Sequence, residues 1–386
     1  MLLCYEAVFA AIQSALPAGV PTQLVNLALL VSAFLLKRSC GLSELARAYP
    51  TAPTRRTPQP KHDLHYRGRR LDRWLSNPRI DPVALQCAFI PHTVARLGYP
   101  RRLGLAVDWT MWDSRDLHGQ KVRYQLLCIA VPRRGRALPL LQVVYNRDAL
   151  PKNQSQNHLE EAAILAVVRA LPLGVSPVVL ADRGFARATL LMWLGAQGLD
   201  YVIRIDRGTC ISPAQGPRWK LGAEIMAPGD LQWHPQVRYG LYHDRPRDVG
   251  CNIVCAWRTT ARQQRSRGHR PPHEPWYLAT SLSSRAGAVA WYRQRWWVEP
   301  SFRDTKGRFG LAATQVGSAE RLGRLVVGLT LAVTWLSLAV LPEVRAKPAG
   351  WGAAVTQWGS TSLIKLALEL FDRLGCLPPA CLPQAP

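Results

Sequence analysis

Residues Arg102–Trp112, RLGLAVDWTMW, are the stretch on which the fold of this chain depends. The run is apolar almost throughout, as is typical of a buried strand, and Asp108 stands near its end. Two more apolar runs follow, Val122–Val131 and Ala137–Tyr145, joined by the basic turn PRRGR. The sequence therefore predicts three successive strands at the start of an α/β region.

Helices and strands alternate beyond these three strands. Helices are predicted over Glu160–Leu171 and Arg187–Gly195. Between them, the buried strand Ser176–Ala181 (SPVVLA) leads directly into Asp182, and Leu199–Ile205 forms a further strand. This order predicts an α/β fold built on a mixed sheet.

The stretch Ala286–Gly310, AGAVAWYRQRWWVEPSFRDTKGRFG, is predicted to be a helix rich in aromatic and basic residues. At about 100° per residue, four polar side chains share one stripe about 60° wide: Tyr292, Arg295, Glu299 and Lys306. A carboxylate flanked by cations suits a divalent metal beside a phosphodiester. The alternative is a solvated face with an Arg295–Glu299 ion pair. Pro300 predicts a kink, and the stripe persists only if that kink is small.

Three carboxylates are the candidate metal ligands. Asp108 and Asp182 each follow a strand, and the ends of neighbouring strands bring such residues side by side in open α/β folds. Glu299, on a helix packed against that sheet, could complete the group. Three hard oxygen donors suit magnesium or manganese rather than zinc. The alternative for each aspartate is a turn or capping role, and Asp113 and Asp116 compete with Asp108 for its role.

These motifs resemble the insertion sequence 4 family of DDE transposases. Tyr292-x2-Arg295-x3-Glu299-x6-Lys306 is similar to that family's tyrosine–arginine–glutamate–lysine signature, and LAVDWT and LADRGF resemble its first two acidic motifs. The acids are 74 and 117 residues apart, which suits a ribonuclease H-like catalytic domain. The longer gap is where the family carries a β-rich insertion, which residues 207–275 resemble. The resemblance extends from about Leu103 to the end of the chain.

The resemblance implies a function and roles for single residues. Asp108, Asp182 and Glu299 would hold two magnesium ions, and the enzyme would hydrolyse DNA to free a 3′-hydroxyl and transfer it to target DNA. Backbone contacts at the DNA end are implied for a further set: Tyr292, Arg295 and Lys306. Arg183 and Arg187 are expected to add phosphate contacts, with a salt bridge at the start of a helix as the simpler alternative. A homodimer in the DNA complex is also expected.

The charge of the chain favours a polyanionic partner. The formal net charge is +24, from 49 Lys and Arg against 25 Asp and Glu, and nucleic acid is the first candidate for such a basic chain. Residues 37–80 carry eleven basic and three acidic residues, in a short helix, a turn and a basic helix. This pattern is compatible with a helix-turn-helix DNA reader and equally with a helical bundle that contacts only phosphates.

The domain organisation follows from these changes in pattern. Helices are expected over Gln23–Lys37, Leu42–Tyr49, His65–Ser76, Ser318–Leu341 and Ser362–Gly375. The predicted regions are a helical, basic DNA-binding region over 1–100, a ribonuclease H-like catalytic domain over 101–206 and 276–312, a β-rich insertion over 207–275 and a C-terminal helical region over 313–386.

The insertion carries tryptophans among arginines. Trp219, Trp233 and Trp257 lie within it and Trp276 just beyond it. The resemblance implies that one of them could stack a base flipped out of the DNA, whereas the general alternative is a small hydrophobic core.

Other classes of protein are weighed against the transposase. A catalytically inactive, transposase-derived DNA-binding protein is the main alternative, and a peripheral membrane protein using Leu325–Leu341 is another. That run is at the lower limit of a membrane span, and we expect a buried core helix and no membrane partner. Nine cysteines without a CxxC pair argue against a zinc site or a disulfide framework, so a cytoplasmic location is expected.

Overall fold

A computed structural model describes most of the chain. The described residues are 2–49, 60–115, 118–133, 135–146, 155–213, 216–223, 226–239, 249–257, 274–341, 363–377 and 382–383. The chain divides into two compact units. The first unit comprises Met1–Pro100, Trp109–Val175 and Trp297–Pro386, and the second comprises Arg101–Asp108 and Ser176–Trp296.

The first unit begins with six helices. They are α1 (Leu2–Ala15), α2 (Pro21–Lys37), α3 (Leu42–Ala48), α4 (Pro60–Leu75), α5 (Pro82–Ala88) and α6 (Ile90–Arg96). Pro21 and Pro82 stand in the first turns of their helices, where a missing N–H costs nothing. The turn between α3 and α4 lies outside the described residues, so the choice between a helix-turn-helix and a phosphate-binding bundle stays open.

Strands of the first unit lie in the order β3-β2-β1. Strand β1 (Arg102–Arg115) begins in the second unit and continues into the first, and β2 (Lys121–Arg133) pairs antiparallel with β3 (Arg136–Asn146). These are the three strands that the apolar runs predict. Helix α7 (Gln156–Ala170) follows, and Ser155 caps it through a hydrogen bond from the backbone N–H of His158.

Helix α11 (Ala319–Val340) forms the core of the first unit. Its apolar run is buried along its whole length and packs on β3, on α2 and on α12 (Leu363–Leu374). Thr330 donates a hydrogen bond to the side chain of Gln142 in β3 at 3.0 Å. The core-helix interpretation of this run therefore agrees with the structure.

Among the described residues, α11 is a helix that is long and apolar enough to span a membrane. Helices α2 and α3, if taken together as one span, are also long and apolar enough, but the pair is bent by 103°. A buried core helix of a soluble protein has the same composition, so these observations do not assign a membrane.

In the described part of the second unit, the sheet has eight strands, in the order β1-β4-β5-β10-β9-β8-β6-β7. β4 (Ser176–Ala181) is parallel to β1 and to β5 (Asp200–Ile205), whereas β10 (Trp276–Thr280) is antiparallel to β5. The remaining strands come from the segment predicted as an insertion: β6 (Cys210–Ser212), β7 (Trp219–Lys220), β8 (Leu231–Tyr239) and β9 (Val249–Ala256). They continue the same sheet, because β9 pairs with β10. The fold is thus a mixed α/β fold with a large mixed sheet and flanking helices.

Helix α9 (Arg285–Arg295) packs on the sheet of the second unit. Ser284 caps its N-terminus by accepting a hydrogen bond from the backbone N–H of Gly287. Gly104 of β1 allows the close approach, since a Cβ atom there would lie 2.9 Å from the ring of Trp291. The small residue thus fixes how near the helix lies to the strand that carries Asp108.

The predicted single helix over Ala286–Gly310 is wrong. Helix α9 ends at Arg295, and α10 begins at Val298 and ends at Arg303, followed by a π-helical turn over Asp304–Arg308. Pro300 explains the break, because its ring would collide with the carbonyl of Trp296 in a continuous helix. The proline instead occupies the first turn of α10, where it needs no backbone partner.

Candidate active site

Asp108 and Asp182 occupy equivalent positions on neighbouring strands of the second unit. β1 and β4 are parallel and in register up to the pair Val107 and Ala181, and each aspartate is the next residue of its chain segment. Neighbouring strands are about 4.8 Å apart, so the two carboxylates emerge at the same edge of the sheet. The structure therefore brings together these two of the predicted metal ligands.

Asp182 also shapes the turn that follows β4. Its Oδ1 accepts a hydrogen bond from the backbone N–H of Gly184 at 2.8 Å. This contact caps the short 3-10 turn Arg183–Phe185, whose Phe185 is buried. Asp182 therefore caps this turn, as the alternative interpretation of the residue predicts. The capping bond uses its Oδ1.

Asp108 forms a buried ion pair with Arg295. The Nη1 of Arg295 lies 3.0 Å from the Oδ2 of Asp108, and the residues are 3% and 9% exposed. The guanidinium carbon lies 4.8 Å from the ring centre of Trp296 and 5.9 Å from that of Tyr292, distances at which a cation is attracted to an aromatic face. Sequence reasoning assigned Arg295 to DNA and missed its contact with a catalytic candidate.

Tyr292 is wholly buried in the hydrophobic core of the second unit. Its ring meets Trp276 edge to face at 5.0 Å between centres. Burial raises the pKa of Tyr292 above its usual value, and the positive charges of Arg295 and Arg204 oppose that rise. A hydrogen bond from the Arg295 side chain also opposes the rise, so the hydroxyl is a polar group held inside an apolar cluster beside that guanidinium.

Glu299 and Lys306 belong to the first unit. Glu299 is exposed in the first turn of α10, and Lys306 is half-buried in the π-helical turn. The helix is fixed to β3: the N–H of Ala137 donates to Ser301 Oγ at 2.9 Å, and Arg136 pairs with Asp304 at 2.8 Å. These contacts hold the backbone that carries Glu299 on the edge of the β2–β3 hairpin.

Asp113, one of the two alternative candidates for the role of Asp108, has different surroundings. Asp113 is exposed and pairs with Arg123 at 2.8 Å, and the hydrogen bond and charge of that arginine lower the pKa of the carboxyl. Asp113 is five residues from Asp108, so on a strand the two side chains point to opposite faces. Asp116 lies outside the described residues.

A basic cavity of about 550 Å³ lies in the second unit. Three arginines line it, Arg183, Arg204 and Arg207, together with Trp257 and two acids, Asp206 and Glu274. Arg183 is exposed and 3.9 Å from Asp206, a distance at the limit of a salt bridge, while Arg187 is half-buried just before α8 (Ala188–Ala196). Sequence reasoning missed Arg204, whose signal was a single cation in the apolar part of a strand.

The tryptophans of the insertion have different surroundings. Trp233 and Trp276 pack against the core cluster of the second unit, and Trp219 meets His234 edge to face at 5.8 Å. Trp257 lines the basic cavity instead. The core role therefore suits Trp233 and Trp276, and Trp257 is the residue placed next to arginines.

Among the described residues, neither unit contains a group of three or more His, Cys, Asp or Glu side chains that could hold a metal ion. Asp108 and Asp182 are the acidic pair that the parallel register aligns, and their oxygen donors suit a hard cation such as magnesium.

Comparison with known proteins gives a family for the chain. No curated protein matches the sequence. The family model described as the transposase DDE domain matches residues 99–335, a range that contains both aligned aspartates, Arg295 and Glu299. Because this match covers more than half of the 386 residues, the chain belongs to the family of transposases with a DDE domain.

Proposed function

We propose that the chain is a DNA transposase of the insertion sequence 4 type that cuts an insertion sequence out of DNA and pastes it elsewhere. The observation that carries the proposal is the alignment of Asp108 and Asp182 directly after the paired parallel segments of β1 and β4, inside the segment that matches the transposase DDE domain. Ribonuclease H-like topology of the catalytic part belongs to the same proposal. A cytoplasmic location and action as a homodimer on DNA complete it.

Three carboxylates are proposed to hold the metal: Asp108, Asp182 and Glu299. Their chemistry fits, because carboxylate oxygens are the donors that magnesium prefers and manganese accepts. Two bound ions would activate a water molecule and stabilise the leaving oxygen of a phosphodiester. The ion pair with Arg295 bears on this role, since it holds Oδ2 of Asp108 in one orientation inside the second unit.

The proposed reaction has two steps on DNA. In the first, water attacks the phosphorus at the transposon end, the bond to the 3′ oxygen breaks, and that oxygen leaves as a 3′-hydroxyl. In the second, the 3′-hydroxyl loses its proton and attacks a phosphorus of target DNA, so one phosphodiester bond forms as another breaks. Each step exchanges one P–O bond for another and needs no oxidant or external energy source.

Cations near the acids are proposed to hold the DNA backbone. Lys306 and the exposed Arg183 can reach phosphate from their present positions, because neither is buried. Arg187 is proposed to assist from the start of α8. Tyr292 and Arg295 are buried, so DNA must approach the aromatic cluster before either residue can contact it. Arg295 must in addition exchange its carboxylate partner for a phosphate.

A second candidate function is a transposase-derived DNA-binding protein without catalytic activity. The observation that favours it is the engagement of Asp108 by Arg295, a contact that competes with metal for the same carboxylate. The two functions share DNA binding and differ in magnesium-dependent cleavage.

Cleavage of end-bearing DNA with magnesium separates the two functions. Asp108→Asn, Asp182→Asn and Glu299→Gln should each abolish cleavage and strand transfer while binding of the same DNA persists, because each removes a metal-binding charge. Asp113→Asn is the matched control, since it makes the same change at an exposed carboxylate on the same strand and should retain cleavage. Cleavage near the normal rate by one of the three variants would remove that acid from the site.

A further inference from the structure

The ion pair of Asp108 and Arg295 engages an oxygen atom of a proposed metal ligand. The Nη1 of Arg295 lies 3.0 Å from the Oδ2 of Asp108, which is hydrogen-bonding distance. A guanidinium group and a divalent cation are both positively charged, and both use the lone pairs of a carboxylate oxygen. The second unit therefore holds this oxygen in an arrangement that competes with metal binding.

The charge of Arg295 acts in the same place as the charge of the second aligned aspartate. Burial raises the pKa of the Tyr292 hydroxyl, the charge of Arg295 lowers it, and the charge of Asp182 raises it. Arg295 is thus near Asp182 as well as Asp108, and all of these residues belong to the second unit. A cation at this position disfavours a second cation at the two aspartates, because like charges repel strongly where water is excluded.

Aromatic rings also hold the guanidinium group of Arg295. Its central carbon lies 4.8 Å from the ring centre of Trp296 and 5.9 Å from that of Tyr292. The ring of Tyr292 is buried, whereas Trp296 is 43% exposed. The guanidinium is therefore covered on one side by a ring that is itself open to solvent, and a ligand that reaches this ring comes close to the guanidinium.

A DNA phosphate offers Arg295 a partner of the same kind as a carboxylate. Guanidinium groups bind carboxylate and phosphate oxygens alike, often through two parallel hydrogen bonds. In the protein without ligands, separation of the pair would leave two uncompensated charges in a buried place, which is costly. With both ligands present, the metal compensates Asp108 and the phosphate compensates Arg295. Separation is therefore favoured when metal and DNA are bound together.

We propose that Arg295 is a positioning residue that couples metal binding to DNA binding: without DNA its ion pair keeps Asp108 from the metal, and a DNA phosphate releases the carboxylate. This inference rests on the proposed function, from which it takes both the metal and the DNA. Such coupling is reciprocal, so DNA raises the affinity for the metal by the same factor as the metal raises the affinity for DNA. Couplings of this kind are typically about 5–150-fold.

An ion pair that serves only to orient Asp108 gives the opposite expectation. Removal of Arg295 would then loosen the carboxylate, and metal binding without DNA would become weaker or stay the same. If Arg295 competes with the metal, its removal strengthens metal binding without DNA. The sign of the change in metal affinity therefore distinguishes the two roles.

The test is Mn²⁺ binding by the full-length protein, followed through the electron paramagnetic resonance signal of the free ion. Without DNA, Arg295→Gln should bind Mn²⁺ about tenfold more tightly than the parent protein. Arg293→Gln makes the same charge change at an exposed position of α9 and should bind Mn²⁺ like the parent protein. Asp108→Asn gives the background from other carboxylates and from DNA. A duplex with a transposon end should raise the affinity of the parent protein, and that of Arg295→Gln by a smaller factor.

A second variant keeps the test decisive if Arg295→Gln does not fold, which thermal melting shows. Trp296→Leu removes the exposed ring beside the guanidinium and leaves both charges of the ion pair in place. It weakens the hold on Arg295, so it should also strengthen Mn²⁺ binding without DNA, by a smaller factor than Arg295→Gln.

Three results would overturn the inference. Folded Arg295→Gln and Trp296→Leu could bind Mn²⁺ no more tightly than the parent protein, Arg293→Gln could gain as much affinity as Arg295→Gln, or the duplex could leave the Mn²⁺ affinity of the parent protein unchanged. The proposed function has its own readout, magnesium-dependent cleavage. Cleavage by the parent protein together with any of these results would contradict the coupling alone. The expected Mn²⁺ results in a protein that cleaves no DNA would support the coupling and count against the proposed function.

Discussion

Asp108 and Arg295 are 187 residues apart in the chain and meet through side chains that are 13% and 4% exposed. A buried ion pair gains little over an apolar pair of the same shape, but loss of one partner leaves an uncompensated charge that costs about 3–5 kcal/mol. Such a pair is therefore better suited to fixing the orientation of a carboxylate than to adding stability.

Stability measurements on variants of this pair follow from that argument. Arg295→Gln should lower the free energy of unfolding by about 3 kcal/mol, and the double variant Asp108→Asn/Arg295→Gln should recover part of the loss, because no charge is then left unpaired. Arg293→Gln, an exposed change on the same helix, should stay within about 0.5 kcal/mol. Urea denaturation measures all of these, and additive losses in the double variant would show that the two residues are not coupled.

The ion pair shows what the sequence could not supply at this scale. The positions of Asp108 and Asp182 follow from local pattern, because Asp108 lies near the end of one apolar run predicted as a strand and Asp182 directly follows another. The partner of Arg295 depends on how α9 lies on β1, and that distance is set by Gly104 beneath Trp291. No periodicity within either segment contains this information.

At the scale of elements, the strands were the more predictable part. β4 covers the predicted range Ser176–Ala181, and β1 begins at the predicted Arg102. The helix over Ala286–Gly310 was predicted from its angular period, which cannot register a break of two residues. Pro300 carried the necessary signal, and its effect appears four residues upstream, at the carbonyl that its ring would meet.

Trp257 and Trp276 have different surroundings, so their substitutions should have different effects on stability. Trp276→Ala removes a ring that packs on the core cluster and on Tyr292, so it should lower the melting temperature clearly. Trp257→Ala removes a ring from the wall of a basic cavity and should change stability little. If Trp257 stacks a flipped base, its loss removes about 1–3 kcal/mol of DNA interaction and slows strand processing.

Substrate design separates the two roles of Trp257. An abasic or pre-nicked DNA end should restore part of the rate to Trp257→Ala, since less is then gained from holding a base. Trp257→Phe keeps an aromatic face and should retain most of the activity. Unfolding of Trp257→Ala to the same degree as Trp276→Ala would instead assign the ring to the core.

At the scale of the whole molecule, the described structure consists of two compact units, and two of their limits fall inside β1 and between α9 and α10. The sequence shows no change of composition at these two limits, because strands and helices run up to them without a linker rich in glycine or proline. The predicted boundaries rest on such changes and therefore miss these two limits, whereas the predicted boundary after residue 100 coincides with another limit of the first unit. They stay predictions about domains, as does the role of residues 207–275 as an insertion.

The net charge is the property of the whole chain that best indicates the chemistry of its binding partner. With +24 spread over 386 residues, most of the binding free energy on DNA should come from phosphate contacts. A protein that makes about 6–10 such contacts loses about 10³–10⁵ in affinity between 50 and 200 mM salt, and we expect this chain to fall in that range on any duplex sequence. Asp108→Asn should show the same slope, because the carboxylate contacts no phosphate. Raising the osmolality to the same extent with a neutral solute, at constant low salt, should leave the affinity unchanged. A flat response to salt would contradict counterion release and point to an apolar partner, even though the chain carries a transposase DDE domain.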